Sequence, residues 1–151
     1  MMKELEFIYE YVGLDEYEME KHFQIIIFSL WDHWLTRQEY DDCFPVPNSE
    51  TCRLESQKFI DATLQVFRDE KVLTFDGKRI RKNLKEISLD ELPVVYDGNI
   101  EYDPFFIPRL QMIYEIGDDF CIFIYCKSEA DISEKLEILQ RFGLKRIIVK
   151  V

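Results

Sequence analysis

The sequence predicts an α+β fold: a helical N-terminal half packed on a small mixed sheet, with a C-terminal β-hairpin followed by a βαβ unit. Two patterns and one class of punctuation support this. Apolar residues in 1–70 recur at helical spacings of three and four, whereas those after residue 93 gather in short β-branched and aromatic runs. Glycine, proline and aspartate separate these stretches at turn positions. With 151 residues, 47% hydrophobic and 15% aromatic, the chain fits one domain over 1–151. Its parts are expected to be helix-rich over 1–70, a basic hairpin over 71–85, and a mixed sheet with a helix over 93–151.

Lys3–Val12 reads as a short amphipathic helix, with Leu5, Ile8, Tyr9 and Val12 on one side and Gly13 as its stop. Asp15 with Glu18 makes an acidic version of the capping box, and Asp15, Glu16 and Glu18 complement the positive end of the helix that follows. That helix is expected to reach about Tyr40, because Met19, Phe23, Ile26, Leu30 and Trp34 recur three or four apart. Ile25, Ile27, Phe28, Trp31 and Leu35 carry the apolar surface nearly all round, so it is the expected central, most buried helix. Its single polar strip is His22, Ser29, His33 and Thr36, within about 60° of helix surface.

Pro45 and Pro47 then break the helix, and Asn48 or Ser49 caps another to about Glu70, with Phe59, Ile60, Thr63, Leu64 and Phe67 inward. Asp76-Gly77, between Val72–Phe75 and Lys78–Arg81, predicts a two-residue type I′ hairpin. Ser88 caps a single helical turn closed by Pro93, Val94–Tyr96 is a short strand, and Tyr102–Pro108 reads as an irregular aromatic loop. Leu110–Ile116 and Phe120–Cys126 are strands of an antiparallel hairpin across Gly117-Asp118-Asp119. A helix from Ser128 through Phe142 stops at Gly143, and Leu144–Val151 is the last strand. The strand–helix–strand order predicts a βαβ unit, with Ile147–Val149 parallel to Phe120–Cys126 through a right-handed crossover.

Charge is uneven. The chain has 30 Asp or Glu against 19 Lys or Arg, a net charge of −11. Residues 1–70 hold 16 acids against 6 bases, 71–92 hold 4 against 6, and 93–151 hold 10 against 7. Such a surface repels phosphate backbones and anionic lipid, so no nucleic-acid and no membrane partner is expected. The basic island Lys78, Arg79, Arg81, Lys82 and Lys85 fits a charge-protected edge strand or pairing with the acidic half. Lys3, Glu4, Glu6 and Glu10 interrupt any secretory signal core, and the uncharged stretch Phe23–Trp31 is too short to cross a bilayer, so the expected compartment is the cytoplasm. Cys43, Cys52, Cys121 and Cys126 form no CxxC pair and are expected to be free, buried thiols.

Motifs that carry chemistry are missing. The chain has no GxGxxG, no GxxxxGK[ST] and no GxSxG. His22 and His33 are eleven positions apart, about 16 Å along a helix, and cannot share a metal ion. Neither a catalytic residue, a cofactor nor a metal site is therefore expected. What remains is acid interleaved with aromatic rings, which suits association: rings supply desolvated contact, and carboxylates steer and pair with Arg or Lys. The expectation is an acidic cytoplasmic binding or inhibitor protein, an immunity-type antidote that occludes the active site of a basic toxin, for example a nuclease. Its partner-binding candidates are Glu16, Glu18 and Glu20; Glu39, Tyr40, Asp41 and Asp42; Asp97, Glu101, Tyr102 and Asp103; and Asp118 with Asp119. The alternative is a small-molecule-binding domain or small enzyme with a pocket near His33, Trp31 and Trp34.

Overall fold

An α+β architecture is what the computed structural model shows; it describes residues 3–31, 36–43, 50–76, 83–91, 104–117 and 121–148. Helices α1 (Glu6–Gly13) and α2 (Glu16–His22) lead into strand β1 (Gln24–Ser29). Helices α3 (Arg37–Cys43) and α4 (Glu50–Phe67) follow, then strands β2 (Val72–Asp76), β3 (Asn83–Ile87), β4 (Phe105–Ile107), β5 (Met112–Ile116) and β6 (Cys121–Cys126). Helix α5 (Ser133–Arg141) and strand β7 (Lys145–Ile147) complete the order. The seven strands form one sheet, β3-β2-β4-β5-β6-β1-β7, with every neighbouring pair antiparallel.

The expected long helix from Asp15 to Tyr40 does not form. Asp15 caps α2 by accepting the Glu18 N–H at 2.9 Å, but the helix ends at Phe23, whose backbone is extended (φ −133°, ψ 150°). The residues beyond become β1. Apolarity on all sides, read as a buried helix, is equally the mark of a strand buried on both faces, and the β-branched run Ile25-Ile26-Ile27 decides for the strand. His22, Ser29 and Thr36 consequently share no strip: they lie at the end of α2, in β1 and ahead of α3. Thr36 starts α3 through a reciprocal capping box, its Oγ1 accepting the Glu39 N–H at 3.1 Å while Glu39 Oε1 accepts the Thr36 N–H at 3.1 Å.

Three further expectations are corrected. First, β2 pairs with residues 83–87, with Asp76 opposite Asn83, so no two-residue turn follows Asp76. This register sets Val72 against Ile87 and Phe75 against Leu84, where a two-residue turn would have opposed them with Arg81 and Lys78. Second, the aromatic segment before Pro108 is not an irregular loop: Phe105–Ile107 is a buried strand pairing with Met112–Tyr114. Third, the sheet is antiparallel instead of mixed. β6 and β7 run parallel, but β1 lies between them and pairs with both, so they are not adjacent as a βαβ unit requires.

Both faces of the sheet are apolar. On one, Ile26, Phe28, Phe105, Tyr114 and Ile122 pack beneath α4 and α5, which contribute Phe59, Phe67 and Leu139, with Ile132 just ahead of α5. Tyr114 is fully buried and its hydroxyl lies 2.8 Å from Thr63 Oγ1 on α4. α5 ends at Gly143 (φ 86°), with Gly143 N–H bonded to Gln140 O at 3.0 Å and Leu144 N–H to Leu139 O at 3.1 Å, a Schellman closure that turns the chain into β7. On the other face, Phe106, Ile113 and Leu73 meet Phe7 and Ile8 of α1 and Phe23 after α2. Cys121 and Cys126 are buried and in no disulfide; burial, with Glu129 and Asp131 nearby, pushes the Cys126 thiol up to about 11.

Candidate functional site

On the α1 face of the sheet a charged side chain, Glu115, sits among hydrophobic neighbours. Alternation along β5 sends Met112, Tyr114 and Ile116 toward α4 and α5, and Ile113 and Glu115 toward α1. Ile113 is fully buried, whereas Glu115 remains half-buried at the floor of a groove of about 1050 Å³. Tyr9, Val12, Ile25, Phe75, Leu84 and Phe123 also line it. Glu115 is the only acidic or basic residue in the described lining.

Two tyrosines hold that carboxylate. Tyr11, in the last turn of α1, donates its hydroxyl to Oε1. Tyr125 of β6 donates to Oε2 at 3.3 Å. The rings brace one another, with centroids 5.6 Å apart, and Tyr11 also meets the edge of Phe106 at 5.8 Å. Burial pushes the Glu115 carboxyl above its ordinary range, and the Tyr125 hydroxyl pulls it only part of the way back. A carboxylate held in this way can accept a cation or exchange a proton.

α1 is pinned over the groove from its other side. Glu10 accepts from Lys127 Nζ at 2.6 Å and lies 3.0 Å from His22 Nδ1, tying α1 to the end of α2 and to the residue after β6. The Lys127 hydrogen bond, aided by His22, holds the Glu10 carboxyl below its usual range despite some desolvation. Lys127 also lies 4.2 Å from the centre of the Phe23 ring. Around the groove, large apolar side chains stay in water: Tyr9 is 57% exposed, Val12 58% and Ile25 38%, with Tyr17 of α2 at 84%.

The partner-binding residues expected from the sequence are only partly in view. Glu16, Glu18 and Glu20 lie on α2; Glu18 approaches Lys21 at 3.5 Å, and Glu20 is exposed. Glu39, Tyr40, Asp41 and Asp42 lie on α3, where Glu39 is engaged with Thr36 and Asp41 is exposed. Asp97, Glu101, Tyr102, Asp103, Asp118 and Asp119 lie outside the described residues, as do His33 and Trp34. Trp31 is half-buried against the α4–α5 core, away from the groove. Sequence reasoning missed Tyr11, Glu115 and Tyr125. One signal was present: Glu115 is the only charge in the run from Leu110 to Ile116.

Among the described residues, no three His, Cys, Asp or Glu side chains are grouped to hold a metal ion. No described helix is long and apolar enough to cross a membrane. No protein-family model, curated protein or solved structure matches the chain.

Proposed function

We propose that this is an acidic binding protein of the immunity type, acting in the cytoplasm as an antidote that occludes the active site of a basic toxin such as a nuclease. The observation that carries the reading is the α1 face. Exposed Tyr9, Val12 and Ile25 rim a groove whose floor is a carboxylate, and Tyr17 and Glu20 stand in water on the neighbouring helix. Exposed apolar patches with a polar rim mark association sites, and the net charge of −11 selects a basic partner. Carboxylates would take the place of substrate phosphates in the partner's cationic cleft, while the apolar rim excludes water.

The groove also supports a second reading, a small-molecule site, because its volume of about 1050 Å³ lies just above the range of about 300–1,000 Å³ that ligand pockets occupy. Its polar centre in that case is Glu115 with Tyr11 and Tyr125. The exposed apolar rim favours a protein partner, since small-ligand sites bury most of the surface they use.

A low-salt capture followed by a functional assay tests the antidote reading. The expected result is a stoichiometric basic partner whose own activity falls to background at a 1:1 ratio. Its association rate should drop steeply between low and high salt, and Asp41→Lys with Asp42→Lys, or Glu20→Lys, should slow it. A captured protein whose activity is unaffected, or a rate indifferent to salt, would refute it.

A further inference from the structure

We propose that the Glu115 groove is an arginine socket: a partner arginine lays its guanidinium on the Glu115 carboxylate and its stem between α1 and the sheet. This rests on the antidote reading and names the side chain that the groove takes. A partner covering the groove strips water from Glu115, and burying an unpaired carboxylate costs several kcal/mol. An occupant that brings positive charge to the floor removes that cost.

Geometry favours arginine over lysine. A carboxylate offers about four acceptor positions across its two oxygens. Among the described residues, Tyr11 occupies one on Oε1 and Tyr125 one on Oε2, so each oxygen keeps an acceptor position. Two vacant positions, one per oxygen, match the parallel N–H groups of a guanidinium fork, whereas an ammonium is a point charge. The walls match the rest of the side chain. Tyr9, Phe75 and Phe123 present rings along the groove, and a planar, weakly hydrated guanidinium with an apolar stem stacks on such surfaces. The two tyrosines act as positioning residues, holding the carboxylate upright before the partner arrives.

The test uses the full chain and two probes, acetyl-Leu-Arg-Leu-amide and the same peptide with neutral citrulline in place of arginine. Backbone amide signals are followed by NMR in wild type and in Glu115→Gln, whose amide keeps the shape and can still bond both tyrosines. The arginine peptide is expected to shift signals from α1, β5 and β6 saturably, and the citrulline peptide to bind about tenfold more weakly. Glu115→Gln should bind the two alike. Tyr125→Phe, which keeps the ring and the charge but frees one carboxylate oxygen, should weaken arginine binding less than Glu115→Gln does. Equal binding of the two peptides by wild type, or shifts confined to α2 and α3, would overturn the socket.

Failure of the socket and failure of the antidote reading give different results. If a toxin is neutralised equally by wild type and Glu115→Gln, the antidote stands and the socket falls. If the arginine peptide docks as described but no basic protein is inhibited, the socket stands and the antidote falls.

Discussion

Replacing Glu70 by glutamine should destabilise the fold by about 3 kcal/mol, because it strands a buried cation. Glu70 follows α4, and its side chain is only 6% exposed; Lys135 of α5, at 5%, brings Nζ to 3.6 Å. Arg109, in the turn before β5, reaches the same carboxylate through Nε at 3.0 and 3.1 Å but is largely in water. Removing one member of a buried pair costs about 3–5 kcal/mol, and the solvent-facing Arg109 arm adds at most about 1. Relaxation at that open edge places the expectation at the lower end, a fall of roughly 6–12 °C in Tm for a chain of this size. Lys135→Met should be milder, about 1 kcal/mol, since methionine fills the apolar path of the stem and Glu70 keeps Arg109. Urea unfolding at pH 7, followed by circular dichroism, measures both. The pH dependence gives a second reading. Burial works to raise the Glu70 carboxyl, but Arg109 and Lys135 outweigh it and hold it below 4.5. Its contribution is therefore complete above 4.5 and lost as pH falls through the lowered native value, a slope that Glu70→Gln should reduce. A Glu70→Gln protein within about 1 kcal/mol of wild type, or a Lys135→Met protein less stable than it, would refute the reasoning.

Three other outcomes are expected from the packing. Tyr114→Phe and Thr63→Val should each cost about 1–3 kcal/mol by orphaning a buried hydroxyl, and the double variant less than their sum; additive costs in urea unfolding would count against the 2.8 Å bond. Gly143→Ala should cost about 1–2 kcal/mol, because a φ of 86° crowds any Cβ, and calorimetry would show no loss if the α5 closure were otherwise. Glu115→Gln should be at least as stable as wild type at pH 7: a carboxyl raised by burial keeps its proton in the native state after the unfolded chain has lost it near 4.5, so it favours folding below that value and loses that advantage as pH rises through its native one. Comparing unfolding of the two proteins from pH 4 to 8 checks the sign.

How far the sequence could be read depended on whether a local pattern had one structural meaning. The α+β class was legible, as were the Asp15 cap and the Gly143 stop, because capping chemistry acts within a few residues. The stretch Phe23–Leu30 was ambiguous: its apolar residues satisfy a helical spacing and a doubly buried strand alike. Only its neighbours resolve it, since Ile26 opposes Ile124 and Phe28 opposes Ile122 on a strand nearly a hundred residues away. The place of β1 between β6 and β7 was invisible for the same reason: no local signal specifies which strand fills a crossover. The basic run after Gly77 misled the hairpin register, because Asp-Gly is a strong turn signal that says nothing of cross-strand partners. At the candidate site the acids were counted where they were plentiful. The acid that converges with two hydroxyls is isolated in sequence, and its partners Tyr11 and Tyr125 stand 104 and 10 positions away.

The groove has a geometric origin in the unequal cover on the two faces of the sheet. Seven strands about 4.8 Å apart span roughly 29 Å. α4 and α5, of 18 and 9 residues, pack on one face. α1 and α2, of 8 and 7 residues, are the described helices on the other and offer less cover. Apolar residues at the uncovered margin should cost stability unless something seals them, yet Tyr9, Val12 and Ile25 stand exposed there. Glu115 sharpens the point, for a strand interior with apolar residues on either side would hold more stably with an apolar residue in its place. A face left short of cover and floored by a charge costs the isolated fold stability, and a partner that covers it while bringing a cation removes both costs together. On this ground the α1 face, more than the dispersed surface acids, is where a partner's affinity should be sought.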